Sequence, residues 1–355
     1  MTSPASDRPT EVGLIGFGLG GATFHAPFIS ATPGLRLAAV MTSDAARRHG
    51  VEERYPATKV VAGIDELLAF SPRLELIAIS SPNASHYPLA RSALEAGRNV
   101  VVDKPFAVTS TQARELGAIA KANGVMAMPF QNRRWDGDFL TVRKLIADDT
   151  LGQVFRFESR FDRWRGVPKP GWMREDWADR AENIVHDIAT HLVDQALVLF
   201  GPVSHVYAEL TARRAGVVSF DDAFLGLTHA NGVSSHLYMS ASAGQAGPRL
   251  SVFAAKGAYL KYGLDVQEDA LRAGMRPDDP TYGEEPSEKW GTLVGPAVNE
   301  IVPTVAGAYP SFYAGVARAI REGGAPPVPV ADVVAGLEII EASFVSNTRK
   351  QVVAL

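Results

Sequence analysis

The first 130 residues alternate between short apolar runs and stretches in which apolar residues recur at helical spacing. The apolar runs predict strands at 11–17, 35–41, 60–61, 74–80, 99–103 and 125–130, and the stretches between them predict helices at 45–55, 65–70, 85–96 and 111–123. This alternation is typical of a parallel sheet covered by helices on both faces. Because ligands of such sheets bind at the carboxyl ends of the strands, the loops that directly follow the strands are the candidate functional segments.

The pattern changes after residue 152. Strand-like runs follow one another at 153–161, 203–211, 223–229, 233–240 and 250–255 with few helices between them, which predicts a large, mostly antiparallel open sheet. Residues 274–295 have no periodicity and are rich in glycine, proline and acids, so they predict a long loop. Residues 330–353 predict a helix.

One helical segment, residues 180–200, stands out within this second half. It is apolar nearly all round, but Asp187, His191 and Asp194 are spaced by four and three residues, which places them on one face of an α-helix. Ionisable groups are costly to bury without partners. The polar stripe therefore predicts either a hydrogen-bonded structural pair or the wall of a functional site.

Composition limits the classes of protein. A chain of 355 residues with 46% hydrophobic and 21% charged residues is expected to form about two globular domains. The net charge of -4, without a basic stripe, argues against a nucleic-acid partner. The absence of cysteine excludes disulfides, cysteine-bound metal centres and thiolate nucleophiles. Residues 1–9 predict a frayed tail rather than a signal peptide, and no apolar run approaches ~20 residues, so no membrane association and a cytoplasmic location are expected.

The first predicted strand runs directly into a glycine-rich turn, Gly16-Phe17-Gly18-Leu19-Gly20-Gly21, with a helix-like segment after it. In a strand–turn–helix unit such glycines permit a tight turn and a close approach of a pyrophosphate, whose charge is met by the N-terminus of the helix. The alternative is a plain tight turn without a ligand.

The loop after the second strand bears on the choice between NAD and NADP. Thr42 and Ser43 are suited to accept a 2'-phosphate on the ribose, and Arg47 or Arg48 to neutralise it. Asp44 instead suits either a helix N-cap or a bond to a free 2'-hydroxyl. The segment favours NADP over NAD.

Two further loops carry polar residues after buried strands. Ser81-Pro82-Asn83, with His86 one turn into the next helix, follows the fourth strand, although Asn83 and Ser85 are equally suited to cap that helix. Asp103-Lys104-Pro105 follows the fifth strand. Its proline stiffens a loop that points the lysine toward the ligand edge of the sheet.

Taken together, the glycine-rich turn, these two loops, and Asp187 with His191 resemble the glucose-fructose oxidoreductase/inositol dehydrogenase (Gfo/Idh/MocA) family, from about Glu11 to the C-terminus. Residues 131–136 and 261–271 are similar to the branch that contains bacterial scyllo-inositol 2-dehydrogenases. There are departures. Asp103 stands where the family usually has Glu, and Asn183 and Ala189 stand where glycines often flank the catalytic aspartate.

The resemblance implies an α/β Rossmann domain at 10–130 and an α+β domain with the large open sheet at 131–355. The second domain is expected to bind the substrate and to form oligomers, and its C-terminal helix is able to pack back on the first domain. The substrate is expected to lie between the two domains. It implies that Lys104, Asp187 and His191 are catalytic. It also implies a cofactor site formed by Gly16, Phe17, Gly18, Gly20, Gly21, Thr42, Ser43, Arg47, Ser81, Pro82, Asn83, His86, Asp103, Lys104 and Asn132.

The expected substrate is a cyclic polyol or sugar. Trp164 and Trp172 are candidates to stack on its ring, beside Lys104, Asp187 and His191, although they equally suit a loop anchored by its tryptophans. The expected activity is NAD(P)-dependent oxidation of a secondary alcohol, and the first expected substrate is an inositol. No metal site is expected. Alternatives are another sugar, an anhydrosugar or a sugar carboxylate, transient oxidation during glycoside hydrolysis, or a redox-sensing binding protein without turnover. A homodimer or homotetramer is expected.

Overall fold

The structure is a computed structural model that describes residues 8–296 and 298–355. The tail expected at residues 1–9 lies outside the described residues except for Arg8 and Pro9. The chain divides into two compact units. The first consists of the chain up to Gln131 together with Asp269–Tyr282 and Tyr309–Val333, and the second of Asn132–Glu268, Gly283–Ala308 and Val334–Leu355.

The first unit contains a six-stranded parallel sheet. Its strands are β1 (Thr10–Ile15), β2 (Leu35–Met41), β3 (Lys59–Val61), β4 (Leu74–Ile79), β5 (Asn99–Val102) and β6 (Ala127–Pro129). Their order is β3-β2-β1-β4-β5-β6. This order confirms the expected Rossmann domain, and its reversal next to β1 places the ligand crevice at the carboxyl ends of β1 and β4.

The helices of this sheet follow from local sequence signals. They are α1 (Ala26–Ala31), α2 (Ala45–Arg54), α3 (Ile64–Ala69), α4 (His86–Glu95) and α5 (Ser110–Ala122). Asp44 caps α2 and Thr109 caps α5, each by accepting a backbone N–H from three residues further on. A π-helical turn, Gly21–His25, comes before α1, and a 3-10 turn, Asn83–Ser85, comes before α4.

The second unit is formed on a nine-stranded sheet. Its strands are β7 (Val154–Asp162), β8 (Val203–Thr211), β9 (Asp222–His229), β10 (Ser234–Ser240), β11 (Leu250–Ala254), β12 (Gly257–Lys261), β13 (Gly291–Gly295), β14 (Val298–Val302) and β15 (Val353–Ala354). The order is β14-β13-β12-β11-β7-β10-β9-β8-β15. The β7–β10 pair is parallel and the other pairs are antiparallel, which confirms the expected mostly antiparallel sheet.

Burial alternates along the strands of this sheet. In β8 and β9 the buried residues occupy every second position, so one face is covered and the other is half-exposed. The remaining helices of the chain are α6 (Gly137–Ala147), α7 (Thr190–Phe200), α8 (Gln267–Arg272), α9 (Pro310–Glu322) and α10 (Val330–Arg349). No helix in the described part of the chain is long and apolar enough to cross a bilayer.

Two predicted boundaries are wrong. The loop expected at 274–295 ends in strand β13, because that segment pairs with β12 on one side and β14 on the other, although its glycines weaken any strand pattern. The helix expected at 330–353 ends at Arg349, and Val353–Ala354 instead pair with β8. In both cases pairing between distant segments decides the conformation.

Candidate active site

The glycine-rich turn leaves β1 at Gly16, whose φ of +90° is a left-handed conformation that favours glycine. A Cβ on Gly16 would collide with the carbonyl oxygen of Ser80, and a Cβ on Gly21 would collide with the carbonyl oxygen of Gly16. Both positions therefore require glycine. At Gly18 a Cβ would meet only the Arg47 guanidinium, at about 3.8 Å, so the backbone there is open on that side.

The turn fits the pyrophosphate of a dinucleotide. Its glycines carry no side chains that would cover the backbone at the carboxyl end of β1, where the pyrophosphate of a dinucleotide binds. Phe17, by contrast, is buried and packs edge-on against Tyr55, with ring centroids 6.3 Å apart. Its side chain therefore anchors the turn to the core.

The loop after β2 brings Thr42, Ser43, Asp44 and Arg47 together. Asp44 accepts the backbone N–H of Arg47 at 2.9 Å and so caps α2, as one of the two expectations for Asp44 required. Ser43 and Arg47 are exposed, whereas Thr42 is buried and its hydroxyl accepts the backbone N–H of Asp44 at 3.3 Å. Oδ1 of Asp44 serves the cap, whereas its Oδ2 lies 4.0 Å from Nε of Arg47, and the Asp44 side chain is 49% exposed. Ser43, Asp44 and Arg47 are therefore all accessible polar groups of this loop.

His86 joins the loops after β4 and β5. The side chain is buried, with Nδ1 2.8 Å from the carbonyl oxygen of Pro105 and Nε2 2.8 Å from that of Ser81. Pro82 is exposed and Asn83 is half-buried at the start of the 3-10 turn. His86 thus holds the two ligand-edge loops in register with each other.

Asp103 is the centre of a hydrogen-bonded cluster at the end of β5. Its Oδ1 accepts the backbone N–H of Lys104 at 2.7 Å, and its Oδ2 accepts the Ser80 hydroxyl at 3.0 Å. Burial is the largest single influence and raises the pKa of the Asp103 carboxyl, but His25, His86 and Lys104 together outweigh it and hold that pKa well below its usual range. The carboxylate is therefore charged and orients the backbone of Lys104, whose side chain is half-buried.

In the second unit the helix expected from residue 180 begins later. A π-helical turn spans Val185–Ala189 and leads into α7, while residues 180–183 are not helical. The expectation of one α-helix over 180–200 is therefore wrong. Asn183, which stands where the family often has glycine, is buried and its Oδ1 accepts the backbone N–H groups of Val185 and His186 at 3.0 and 3.1 Å. This residue starts the helix.

The three polar residues of this segment have different partners. Asp194, 4% exposed, forms a bidentate ion pair with Arg134 at 2.6 and 2.8 Å, a partner that the sequence did not predict. Asp187 is half-buried, and its Oδ2 accepts a hydrogen bond from Lys169 Nζ at 2.5 Å. His191 is buried at the start of α7, after the π-helical turn that carries Asp187.

The two tryptophans of the preceding loop differ in exposure. Trp172 is buried, with Lys169 Nζ 5.2 Å and the Arg214 guanidinium 5.5 Å from the ring centroid. Trp164 is 71% exposed. Trp172 therefore anchors the loop that carries Lys169, whereas Trp164 has the free ring face that stacking on a ligand requires.

Arg163 interacts electrostatically with Asp187, so a second cation lies near that carboxylate. The guanidinium of Arg163 lies 4.3 Å from the centroid of the Phe161 ring. Burial and then the neighbouring cations of Arg165 and Arg133 lower the pKa of Arg163. Asn132, which opens the 3-10 turn Asn132–Trp135, is buried. The surroundings of Asp187 are thus basic, which suits oxygen-rich ligands.

Sequence reasoning missed Lys169 and His25. Lys169 lies in an irregular loop, and only the three-dimensional fold shows that it pairs with Asp187. His25 had a signal in the sequence, because a histidine four residues after the last glycine of the turn sits among apolar residues. A polar side chain in such a segment requires a buried partner.

Comparisons with known proteins agree with this geometry. Residues 10–131 match the model of the oxidoreductase family with an NAD-binding Rossmann fold, and residues 139–260 match the GFO/IDH/MocA C-terminal domain. The chain is 40% identical to the uncharacterized oxidoreductase YdgJ of Escherichia coli, covering 97% of this chain and 98% of that protein.

Two further matches also extend over the whole length. The chain is 32% identical to the scyllo-inositol 2-dehydrogenase (NADP(+)) IolW of Bacillus subtilis, over 97% of this chain and 96% of that one. It superposes on the solved structure of the oxidoreductase yvaA from Bacillus subtilis with a TM-score of 0.92 and 32% identity, covering 99% of both chains. The chain belongs to the Gfo/Idh/MocA family of NAD(P)-dependent oxidoreductases.

Proposed function

We propose that the chain is an NADP-dependent dehydrogenase of a secondary alcohol on a cyclic polyol, with scyllo-inositol and its ketone as the first substrates to test. The observation that carries the proposal is the fixed Lys104 backbone after β5 in a unit with a complete dinucleotide turn. The similarity to IolW, whose name gives an inositol substrate and NADP, supports the choice of substrate and cofactor.

Arg47 and Ser43 support the preference for NADP. Both are exposed at the end of β2, where a dinucleotide fold binds the adenosine ribose. Asp44 caps α2 through Oδ1, and its Oδ2 lies 4.0 Å from Nε of Arg47, so both oxygens of the carboxylate have partners within this loop. An arginine that forms charge-assisted bonds favours a 2'-phosphate over a hydroxyl.

Three residues of the chain would perform the proton chemistry. A bound nicotinamide supplies the hydride acceptor. His191 takes the hydroxyl proton as general base, a role suited to an imidazole at neutral pH. Lys104 donates a hydrogen bond to the carbinol oxygen and stabilises its developing negative charge. Asp187 binds a second hydroxyl of the substrate or orients the base.

Substrate recognition is assigned to the loop before the π-helical turn. Trp164 offers an exposed ring for the C–H face of a polyol, and Lys169 offers donors for its hydroxyl oxygens beside Asp187. The buried Trp172 ring packs beneath the Lys169 side chain, with Nζ 5.2 Å from the ring centroid, and so anchors this loop. We also propose a homodimer or homotetramer, because the half-exposed face of the nine-stranded sheet suits pairing of subunits. A cytoplasmic location is proposed as well, because a chain without cysteine suits a reducing compartment.

The test is a spectrophotometric screen of inositol isomers, aldoses, anhydrosugars and sugar acids with NADP and NAD. We expect turnover of an inositol with NADP at the highest kcat/KM. Faster turnover of another sugar would replace the substrate, and release of free sugar from glycosides without net NADPH would indicate hydrolysis. Tight NADPH binding without turnover over the whole panel would favour a redox-sensing protein and contradict the proposal.

A further inference from the structure

His25 is the last residue of the π-helical turn that follows the glycine-rich turn, and its side chain is 0% exposed. Burying an imidazole is costly unless its nitrogens find partners. Nδ1 lies 2.6 Å from the hydroxyl of Tyr313, and Nε2 lies 3.4 Å from Oδ2 of Asp103. The Phe130 ring covers the imidazole, with centroids 4.4 Å apart.

These partners select one tautomer of His25. A hydrogen on Nδ1 would leave the lone pair of Nε2 facing a carboxylate oxygen, which is repulsive. With the hydrogen on Nε2, Tyr313 donates to Nδ1 and the imidazole presents its N–H to Asp103. Burial and the carboxylate of Asp103 raise the pKa of Tyr313 well above its usual range, so the phenol keeps its proton.

Asp103 connects the side-chain series Tyr313–His25–Asp103 to two functional segments. Its Oδ1 accepts the backbone N–H of Lys104 at 2.7 Å. On the other side, a Cβ on Gly20 would collide with the Ser80 hydroxyl and would lie about 2.9 Å from Oδ2 of Asp103, so the glycine-rich turn lies directly against this carboxylate. The cofactor turn and the Lys104 loop therefore meet at Asp103.

We propose that His25 is a positioning residue: its imidazole, oriented by Tyr313, holds the carboxylate of Asp103 and thereby fixes the backbone that carries Lys104. This inference rests on the proposed role of Lys104. The titratable groups that face the His25 imidazole are Tyr313 and Asp103, and the charged or titratable groups around Asp103 are His86 and Lys104. The remaining neighbour, Phe130, does not titrate.

The first measurement does not depend on turnover. Two-bond proton–nitrogen NMR of the protein labelled with ¹⁵N-histidine reports the tautomer of each ring, and the His25 signal is assigned by its loss in His25→Gln. We expect a hydrogen on Nε2 of His25 in the wild type and loss of this single arrangement in Tyr313→Phe. A hydrogen on Nδ1 in the wild type would overturn the proposal.

The second measurement compares His25→Leu, which removes both ring nitrogens, with His25→Gln, whose amide N–H can reach Asp103. We expect His25→Leu to lower kcat by about 10- to 100-fold with the NADPH dissociation constant changed less than about threefold. We expect His25→Gln to recover most of the loss. The acid limb of the kcat/KM profile should move to higher pH in the leucine variant only, because Asp103 then loses the contact that keeps it ionised.

Tyr87→Phe, on α4, is the matched control for Tyr313→Phe and should behave as the wild type. A leucine variant with wild-type kcat, or one that loses kcat and NADPH affinity in equal measure, would make His25 a packing residue and end the proposal. Should the wild type turn over no polyol or sugar, the proposed function fails, whereas the tautomer spectra still decide the inference.

Discussion

Lys169 and Asp187 form an ion pair, with Nζ 2.5 Å from Oδ2. The lysine side chain is 41% exposed and the aspartate side chain is 23% exposed, so the pair is reachable from solvent. A substrate hydroxyl that binds Asp187 would therefore also lie close to the ammonium group of Lys169. If Asp187 binds the substrate as proposed, Lys169 belongs to the same site, although no motif in the sequence identified it.

Removing the Lys169 ammonium should weaken substrate binding more than it slows the reaction. We expect Lys169→Met to raise KM by about fivefold, corresponding to ~1 kcal/mol for one lost hydrogen bond to the substrate, with kcat within about threefold of the wild type. Lys169→Arg should retain most of the affinity. Lys144→Met, which removes the lysine paired with Asp148 on α6, is the control. An unchanged KM would remove Lys169 from the site.

His191→Ala should lower kcat by ~10²- to 10⁴-fold, the usual contribution of a general base. NADPH binding, followed by tryptophan fluorescence, should stay within about threefold of the wild type. His205→Ala removes an exposed histidine of β8 and serves as the control. A His191→Ala enzyme with normal turnover would show that the base is another group.

Arg47→Ala should reduce the affinity for NADPH by about tenfold or more and leave the affinity for NADH nearly unchanged, because the guanidinium would bind only the 2'-phosphate strongly. Arg48→Ala, one residue further along α2, is the matched control. Dissociation constants for both nucleotides, measured by calorimetry, test this. Equal losses for NADPH and NADH would assign Arg47 to the shared pyrophosphate.

The Arg134–Asp194 pair is nearly enclosed, with side-chain exposures of 12% and 5%. Removing one partner leaves a buried charge, so Asp194→Leu should lower the free energy of unfolding by ~3–5 kcal/mol. The double variant Arg134→Met, Asp194→Leu should recover much of that loss, because neither charge remains. Urea unfolding of the three proteins measures this. A double variant as unstable as the single one would contradict the explanation.

Asp136 predicts a dependence of stability on pH. Burial above all, opposed by Arg133 and reinforced by Asp265 and Asp138, raises the pKa of Asp136 to about 8. The same carboxyl titrates near ~4 in the unfolded chain. The folded state therefore holds a proton that the unfolded state has lost, and the free energy of unfolding decreases as pH rises from about 4 to about 8.

The slope contributed by this single group is at most ~1.4 kcal/mol per pH unit. We expect Asp136→Asn to flatten the stability profile of the wild type in this range, since an amide does not titrate. Asp65→Asn, on the exposed side of α3, should leave the profile unchanged. Urea midpoints at several pH values provide the measurement, and a variant with the wild-type slope would show that another group titrates.

The architecture of the sheets could be predicted from the sequence because it depends on local pattern. Continuous apolar runs such as β4 form parallel strands buried on both faces, and a glycine such as Gly16 marks the tight turn after β1. The predicted helix at residue 180 failed because a π-helical turn has no distinct periodicity signal. Likewise, β13 forms only because its partner strands are in place.

Side-chain partners were beyond the reach of sequence spacing. Spacing placed Asp187 and Asp194 on one stripe, yet the structure gives them separate cations from distant loops, Lys169 and Arg134. Only tertiary contacts determine which carboxylate meets a substrate and which one stabilises the fold. The candidate site residues on the first sheet were easier to predict as a group, because strand ends in a parallel sheet share one edge.

The first unit is closed by a segment from near the end of the chain. Tyr313, which bonds to His25, lies 288 residues later in sequence, and Phe312 beside it packs on Phe130 with ring centroids 4.8 Å apart. On the ribosome, the nucleotide-binding core must therefore wait for the residues up to Tyr313 to emerge before it can complete its packing. A fragment cut at Gln131 would lack this closing segment, so translation that stops early should yield an aggregation-prone product, not a smaller functional domain.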